Sequence, residues 1–366
     1  MLKLFGYKLI LVIFLSVICN SFAAEKAAQP LVSPELLEYA GLRTLWQQKL
    51  PIKATEYLDE MLILGDRIYI FSNRNYIISL DRNDGEWIFG EAFSPGTLPV
   101  GGLRLYRDEL LSANGNQLVE FEVETGNEFR KTEVENAIVC PVVRNNSYFY
   151  ISEDDRRLHV LRAKDMVQIF EVAADNGSMI TSVIAEEDFV IFGTEKGNVV
   201  SIAPDQPKRF WQFNAADAIV GPLIKDGRSL FFACADTNVY RVDIVGFPEQ
   251  KRFVWKYQMP GILEKAPRVT RQFVYQYAIT KGVTAIGKAG TFLWNVPLGV
   301  DLLAEYNDKA YVITEDRKLV VMDNIESKRL YSVNFAAVTR HASNVTDSMI
   351  YIADERGRVA CLQPVE

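Results

Sequence analysis

The residues able to do chemistry in this chain are few and scattered. There are two histidines, His159 and His341, and four cysteines, Cys19, Cys140, Cys234 and Cys361. A zinc centre needs three or four His, Cys or carboxylate ligands brought together, and neither histidine has a Cys or carboxylate at ligand spacing. His159 lies in the alternating run Leu158-His159-Val160-Leu161 and reads as a surface or blade-interface residue. His341, in Thr339-Arg340-His341-Ala342-Ser343, stands just ahead of an apolar strand. The one Asp-Asp pair, Asp154-Asp155, falls in a turn, where solvated acids are ordinary. No Gly-x-Ser-x-Gly elbow is present, and Gly287-Lys288-Ala289-Gly290 lacks the strand-loop-helix setting of a phosphate loop. No catalytic, cofactor-binding or metal-binding residue is assigned.

Charge and composition narrow the partners. The formal net charge is −7, with no basic run, which disfavours nucleic acid and anionic membrane surfaces. With 366 residues, 49% of them hydrophobic, the chain can bury a large core. Residues 1–23 read as an export signal: Lys3 and Lys8, an apolar core from Leu9 to Ile18, and small residues at Ser21-Phe22-Ala23, with cleavage after Ala23. The apolar run of about ten residues falls well short of the roughly 20 that span a bilayer. The alternative is an outer-membrane lipoprotein acylated at Cys19, the one route to membrane contact. Residues 24–41 form a polar spacer with a short helical turn capped by Ser33 and opened by Pro34.

From residue 42 to 366 the chain is built of repeats. An apolar strand, a polar turn and a second apolar strand recur about eight times, clearest in Ile68-Tyr69-Ile70-Phe71-Ser72, Asn73-Arg74-Asn75 and Ile77-Ile78-Ser79-Leu80-Asp81. Taking Leu80 as anchor, its equivalents are Phe121, Leu161, Ile202, Val242, Ile286, Met322 and Leu362, a period near 40 residues. A further apolar strand precedes each hairpin, and a fourth carries one aromatic: Trp87, Phe129, Phe170, Trp211, Trp255, Trp294 or Tyr331. One ring per unit suits packing between neighbouring sheets rather than a cofactor box. The eighth unit stops at Cys361-Leu362-Gln363 without its aromatic strand, and Leu42-Arg43-Thr44-Leu45-Trp46 supplies the missing piece. The expectation is an all-β, eight-bladed propeller of four-stranded antiparallel blades closed by an N-terminal strand. Seven blades is the alternative if the irregular sixth unit, Phe273 to Gly287, is degenerate. Cys140, Cys234 and Cys361 fall in different units, so free buried thiols are expected.

The segment Ile77 to Trp87, echoed by Val119 to Phe129, resembles the repeat of pyrroloquinoline-quinone-like (quinoprotein-type) β-propellers, and the resemblance runs over nearly the whole chain after the export signal. It implies one of two roles. The quinone-dependent dehydrogenases that share this repeat hold their cofactor over a tryptophan beside a vicinal disulfide, with calcium near an Asp; this chain has no adjacent cysteine pair. The propeller lipoproteins of the bacterial outer-membrane β-barrel assembly machine are similar in length, export and blade number and carry no catalytic residues. The resemblance therefore implies a non-enzymatic scaffold for protein partners in the bacterial envelope, monomeric by itself and without a cofactor, with a quinone-dependent or other small-molecule enzyme as the alternative.

In a propeller the loops that enter the first strands crowd one face around the channel. Here they carry Phe93 and Leu98, Asp217 and Ile219, Ile262 and Glu264, Asp301, and Arg340 with His341. These nine residues are the expected interaction face. The competing reading is that the apolar members merely anchor their loops between blades.

Overall fold

The computed structural model describes residues 29–74, 76–92, 102–244 and 252–365. The expected export signal, Cys19, Phe93 and Leu98 lie outside them. Among the described residues, 32 strands form eight four-stranded antiparallel sheets. Blade 1 is representative, running from the channel outward as Leu58–Leu64, Arg67–Ser72, Tyr76–Asp81 and Trp87–Ala92. The irregular sixth unit is also complete, with strands Arg268–Val269, Phe273–Ala278, Gly282–Gly287 and Phe292–Val296, so the ring has eight blades and not seven.

Blade 8 is assembled from both ends of the chain. Its outer strand, Leu42–Lys49, pairs antiparallel with Arg358–Pro364, from Leu42 opposite Pro364 to Lys49 opposite Arg358. That pairing joins the two ends of the sequence and closes the ring. The helix Pro34–Tyr39 leads into it, burying Leu37 and setting Tyr39 edge-on against Tyr331 of blade 7.

The core is divided into eight apolar clusters, one between each pair of consecutive blades, among the described residues. The eight sequence anchors all occupy one slot: each follows directly the third-strand residue that faces the outer-strand ring. Every outer strand carries a register shift beside that slot, a bulge that adds twist and turns the next side chain toward the neighbouring blade. The side chains so turned are Phe89, Arg130, Phe170, Trp211, Trp255, Trp294, Tyr331 and Trp46, opposite Ser79, Glu120, Val160, Ser201, Arg241, Ala285, Val321 and Cys361.

Two of the expected interface aromatics are therefore misplaced. Trp87 stands two residues before the inward slot and Phe129 sits on the bulge itself, leaving them 40% and 48% exposed. Phe89 fills the slot in blade 1. In blade 2 an arginine does so.

The slot works by stacking and by hydrogen bonding. Trp46 Nε1 donates to Arg82 O (3.1 Å), Trp255 Nε1 to Lys288 O (2.8 Å) and Trp294 Nε1 to Asn324 Oδ1 (2.9 Å), each acceptor lying just past the third strand of the next blade. The rings press on glycines of that turn: a Cβ on Gly85, whose φ is +77°, would stand 2.6 Å from the Trp46 ring. Arg130 in blade 2 reproduces the bond by donating from Nη1 to Ala163 O (2.8 Å), while its remaining donors clasp Glu120. Inside this layer, fully buried Tyr150 and Tyr351 donate to Pro204 O and Arg82 O of the following blades.

Cys140, Cys234 and Cys361 are free and buried. Burial pushes each thiol up to about 12. Since the thiolate is the reactive form, these three thiols should resist Ellman's reagent near pH 8 in the native protein and react once it is denatured. Rapid labelling of the native chain would contradict this packing.

Candidate functional site

The first strands of blades 8 and 1, 2 and 3, 3 and 4, and 4 and 5 touch and wall an axial channel. Two cavities lie along it. The larger, about 820 Å³, is bounded mainly by the inner strands of blades 2 to 5, with Leu105, Val143, Val183 and Leu223 giving it an apolar wall. Its charged members are tied down: Arg144 Nη1 bonds Glu109 Oε2 at 2.5 Å and lies 3.9 Å from Glu120, with its guanidinium over the rings of Tyr106 and Phe149.

The smaller cavity, about 350 Å³, lies between blades 6, 7, 8 and 1 toward the end where the loops enter the first strands. It brings together Asp301, Arg340 and His341, three of the nine expected residues. Asp301 takes a two-point bond from Arg268 (Nε to Oδ1 2.9 Å, Nη2 to Oδ2 2.8 Å) and one from its own neighbour Leu302 N, and His341 Nε2 lies 3.5 Å from Oδ2. Burial alone would raise the Asp301 carboxyl, but His341 and the Arg268 guanidinium hold it well below the usual carboxylate range. Arg268, Asp59, Glu60, Thr339 and Ser343 complete the cavity. Sequence reading missed them because their neighbourhood depends on four blades distant in sequence.

The other expected residues lie elsewhere. Asp217, Ile262 and Glu264 are exposed on the loop face. Ile219 is only 4% exposed and packs in the cluster between blades 4 and 5, so the anchoring reading applies to it. Asp301 and Ile219 also belong to the first strands, Gly299–Tyr306 and Ile219–Asp226, which begin earlier than the sequence pattern indicates.

The loop face is rigid in construction. Each of several inter-blade loops accepts a bond from the hairpin turn of its own blade, as in Asn73 N to Tyr57 O (3.0 Å), Ile279 N to Ile262 O (2.9 Å) and Glu315 N to Leu298 O (2.8 Å). The side chains at those three loop positions point into solvent, with Tyr57 45%, Ile262 62% and Leu298 52% exposed. They belong to blades 1, 6 and 7, three of the four blades that bound the smaller cavity. Tyr57 and Leu298 were not anticipated; an apolar residue at a loop tip, directly before Leu58 or Gly299, was the available signal.

His159, on blade 3, is buried away from both cavities, with Nε2 3.0 Å from Asp155 Oδ2 and Glu153 and Glu171 at 3.8 Å. Among the described residues, no group of three or more His, Cys, Asp or Glu side chains is arranged to hold a metal ion. None of the described helices is long and apolar enough to cross a membrane.

Eight four-stranded antiparallel blades closed by strands from both ends of the sequence define an eight-bladed β-propeller. Residues 40–218 match the family model PQQ_2, described as "Outer membrane protein assembly factor BamB". Among solved structures, BamB from Moraxella catarrhalis is 13% identical with a TM-score of 0.66, the match covering 88% of this chain and 97% of that one. The computationally designed Ika8 protein matches with the same TM-score at 14% identity, covering 87% and 99%. The Cps50 (Swd1) β-propeller domain of Myceliophteria thermophila, at 12% identity, gives a TM-score of 0.55 over 87% and 100%. At such identities the likeness is one of fold. No curated protein matches the sequence significantly.

Proposed function

We propose that this protein is a non-enzymatic scaffold of the bacterial envelope that docks protein partners on its loop face and takes part in outer-membrane protein assembly. The observation that carries the reading is the set Tyr57, Ile262 and Leu298, exposed apolar side chains on loops that enter first strands, the same loop class that carries the exposed acids Asp217 and Glu264. An apolar patch with a polar rim is the surface a protein partner desolvates. The assembly-factor family matched over residues 40–218 supports the compartment and the process. In this reading residues 1–23 direct export and are removed, 24–41 are a spacer, and 42–366 form the propeller, a monomer in the periplasm. The tryptophans also support it over a quinone enzyme: four sit in the interface slots, Trp87 lies on the outer strand, and none lines either cavity.

The test is a cross-linked pull-down from detergent-solubilised envelopes with the wild type and with an Ile262→Asp, Leu298→Asp double variant. Both positions are exposed, so the variant should keep the wild-type unfolding midpoint while losing most of the recovered partner. Quinone-dependent dye reduction by the purified protein, with no partner recovered, would overturn the scaffold reading.

A further inference from the structure

Blade 6 differs from the other blades at its outer edge. Each blade ends in a fourth strand with no strand beyond it among the described residues, so alternate N–H and C=O groups face outward in a row onto which another strand can add. Charged side chains are a common guard against such addition. Seven of the eight outer strands carry one or more, among them Arg43, Glu91, Lys131, Glu171 and Lys256. The outer strand of blade 6, Phe292–Val296, carries none. Two residues before the ring slot, blades 2, 4 and 7 place Glu128, Arg209 and Arg329, where blade 6 places Phe292, 54% exposed. Leu298, two residues past the strand, is exposed as well.

The edge calls for a strand and not a globular surface, because main-chain groups in a row are matched by another extended backbone. Leu293, Trp294 and Val296 pack with the apolar cluster shared with blade 7, so a strand laid alongside continues an apolar flank at alternate positions. A charge on that side of the added strand would lie unpaired against the flank. We infer that Phe292–Val296 takes up, by strand addition, an uncharged extended segment of a partner protein that alternates apolar and small polar residues. Pro297 has no N–H to offer, which limits the pairing to the five residues of the strand. A second copy of this chain fits less well: two rings meeting rim to rim touch at little besides this short edge, well under the about 1,200–2,000 Å² that a stable interface buries. A flexible segment can pair along the strand and run on over Leu298. The inference rests on the scaffold reading for the source of the segment, and adds to it a mode of recognition and a place.

Fluorescence anisotropy of a labelled, end-blocked heptapeptide of alternating threonine and valine, titrated with the whole propeller, tests this. The peptide should bind, and Phe292→Arg, which gives blade 6 the guard that blades 4 and 7 carry at this position, should weaken it at least about tenfold. Val254→Arg, on the blade 5 strand that already holds Lys256, should leave the affinity unchanged. Phe292 and Val254 are both exposed, so the unfolding midpoints of the two variants should match the wild type. N-methylation of the peptide at alternate residues removes the donors from one of its edges, and in one of the two possible phases it should cost at least about tenfold. No binding of the parent peptide, binding indifferent to Phe292→Arg, or methylated peptides that both bind as well as the parent would each overturn the assignment. A dimer that Phe292→Arg dissolves, with no peptide bound, would give the edge to a second copy instead. Because no envelope partner enters this assay, it can fail while the pull-down through Ile262 and Leu298 succeeds, and the reverse.

Discussion

Replacing Arg130 by alanine should destabilise the propeller by about 3–5 kcal/mol, the cost of stranding a buried charge. Glu120 is wholly buried, and without Arg130 the cation left beside it among the described residues is Arg144, 3.9 Å away and already bonded to Glu109. The reverse change, Glu120→Ala, should cost less, because the Arg130 side chain is 28% exposed and keeps its bond to Ala163 O. The double variant Glu120→Ser, Arg130→Trp rebuilds the pair that blade 4 uses, Ser201 opposite Trp211, and Arg144 retains Glu109. It should recover most of the lost stability, since well-packed apolar groups often replace a buried ion pair without loss. Denaturant unfolding of the three variants measures the order. A double variant no better than Arg130→Ala would show that the clasp does more than fill a ring slot.

Trp46→Ala should cost a similar amount, about 3–5 kcal/mol, as expected for deleting a buried indole. The change removes the ring stacked on Gly85 and the bond to Arg82 O, at the interface where the two ends of the chain meet. Arg82 would keep Tyr351 and Asp347 (Nη2 to Oδ2 2.6 Å), so the ring should still close but open more readily. Limited proteolysis should cut first near residues 42–57 in this variant. Trp87→Ala, at an outer-strand position 40% exposed, should shift stability by no more than about 1 kcal/mol. Equal losses from the two tryptophans would contradict the slot assignment.

The contrast between these tryptophans shows what the sequence made legible. The period and the third-strand anchors were readable because hairpin hydrophobicity repeats locally, and all eight anchors share one structural position. The strand closing the ring was readable because the last unit lacked an outer strand and Leu45-Trp46 supplied one. The ring slot was misread in blades 1 and 2 because each offers a ring ahead of the slot, Trp87 two residues before Phe89 and Phe129 one before Arg130. The reliable signal was the dipeptide of an apolar residue and a ring, as in Ile88-Phe89, Phe210-Trp211 and Leu293-Trp294. In blade 2 the dipeptide is Phe129-Arg130, and only the buried Glu120 opposite explains it. The smaller cavity was half legible: Asp301, Arg340 and His341 were singled out one by one, but Arg268, Asp59 and Glu60 converge on them only when the ring is closed.

Because Leu42–Lys49 pairs with Arg358–Pro364, the ring's last stitch waits for that distant segment to emerge. Until then seven blades can form in order, each sealing the flank of its predecessor, while the first and last flanks stay bare. Local contacts dominate every step but the last, which must find its partner across the whole molecule. The vulnerable interval in this protein's life is thus the search between its two ends, when an unpaired strand edge is open to neighbouring chains. Joining those ends and cutting between two other blades would move that interval elsewhere while leaving the finished ring the same.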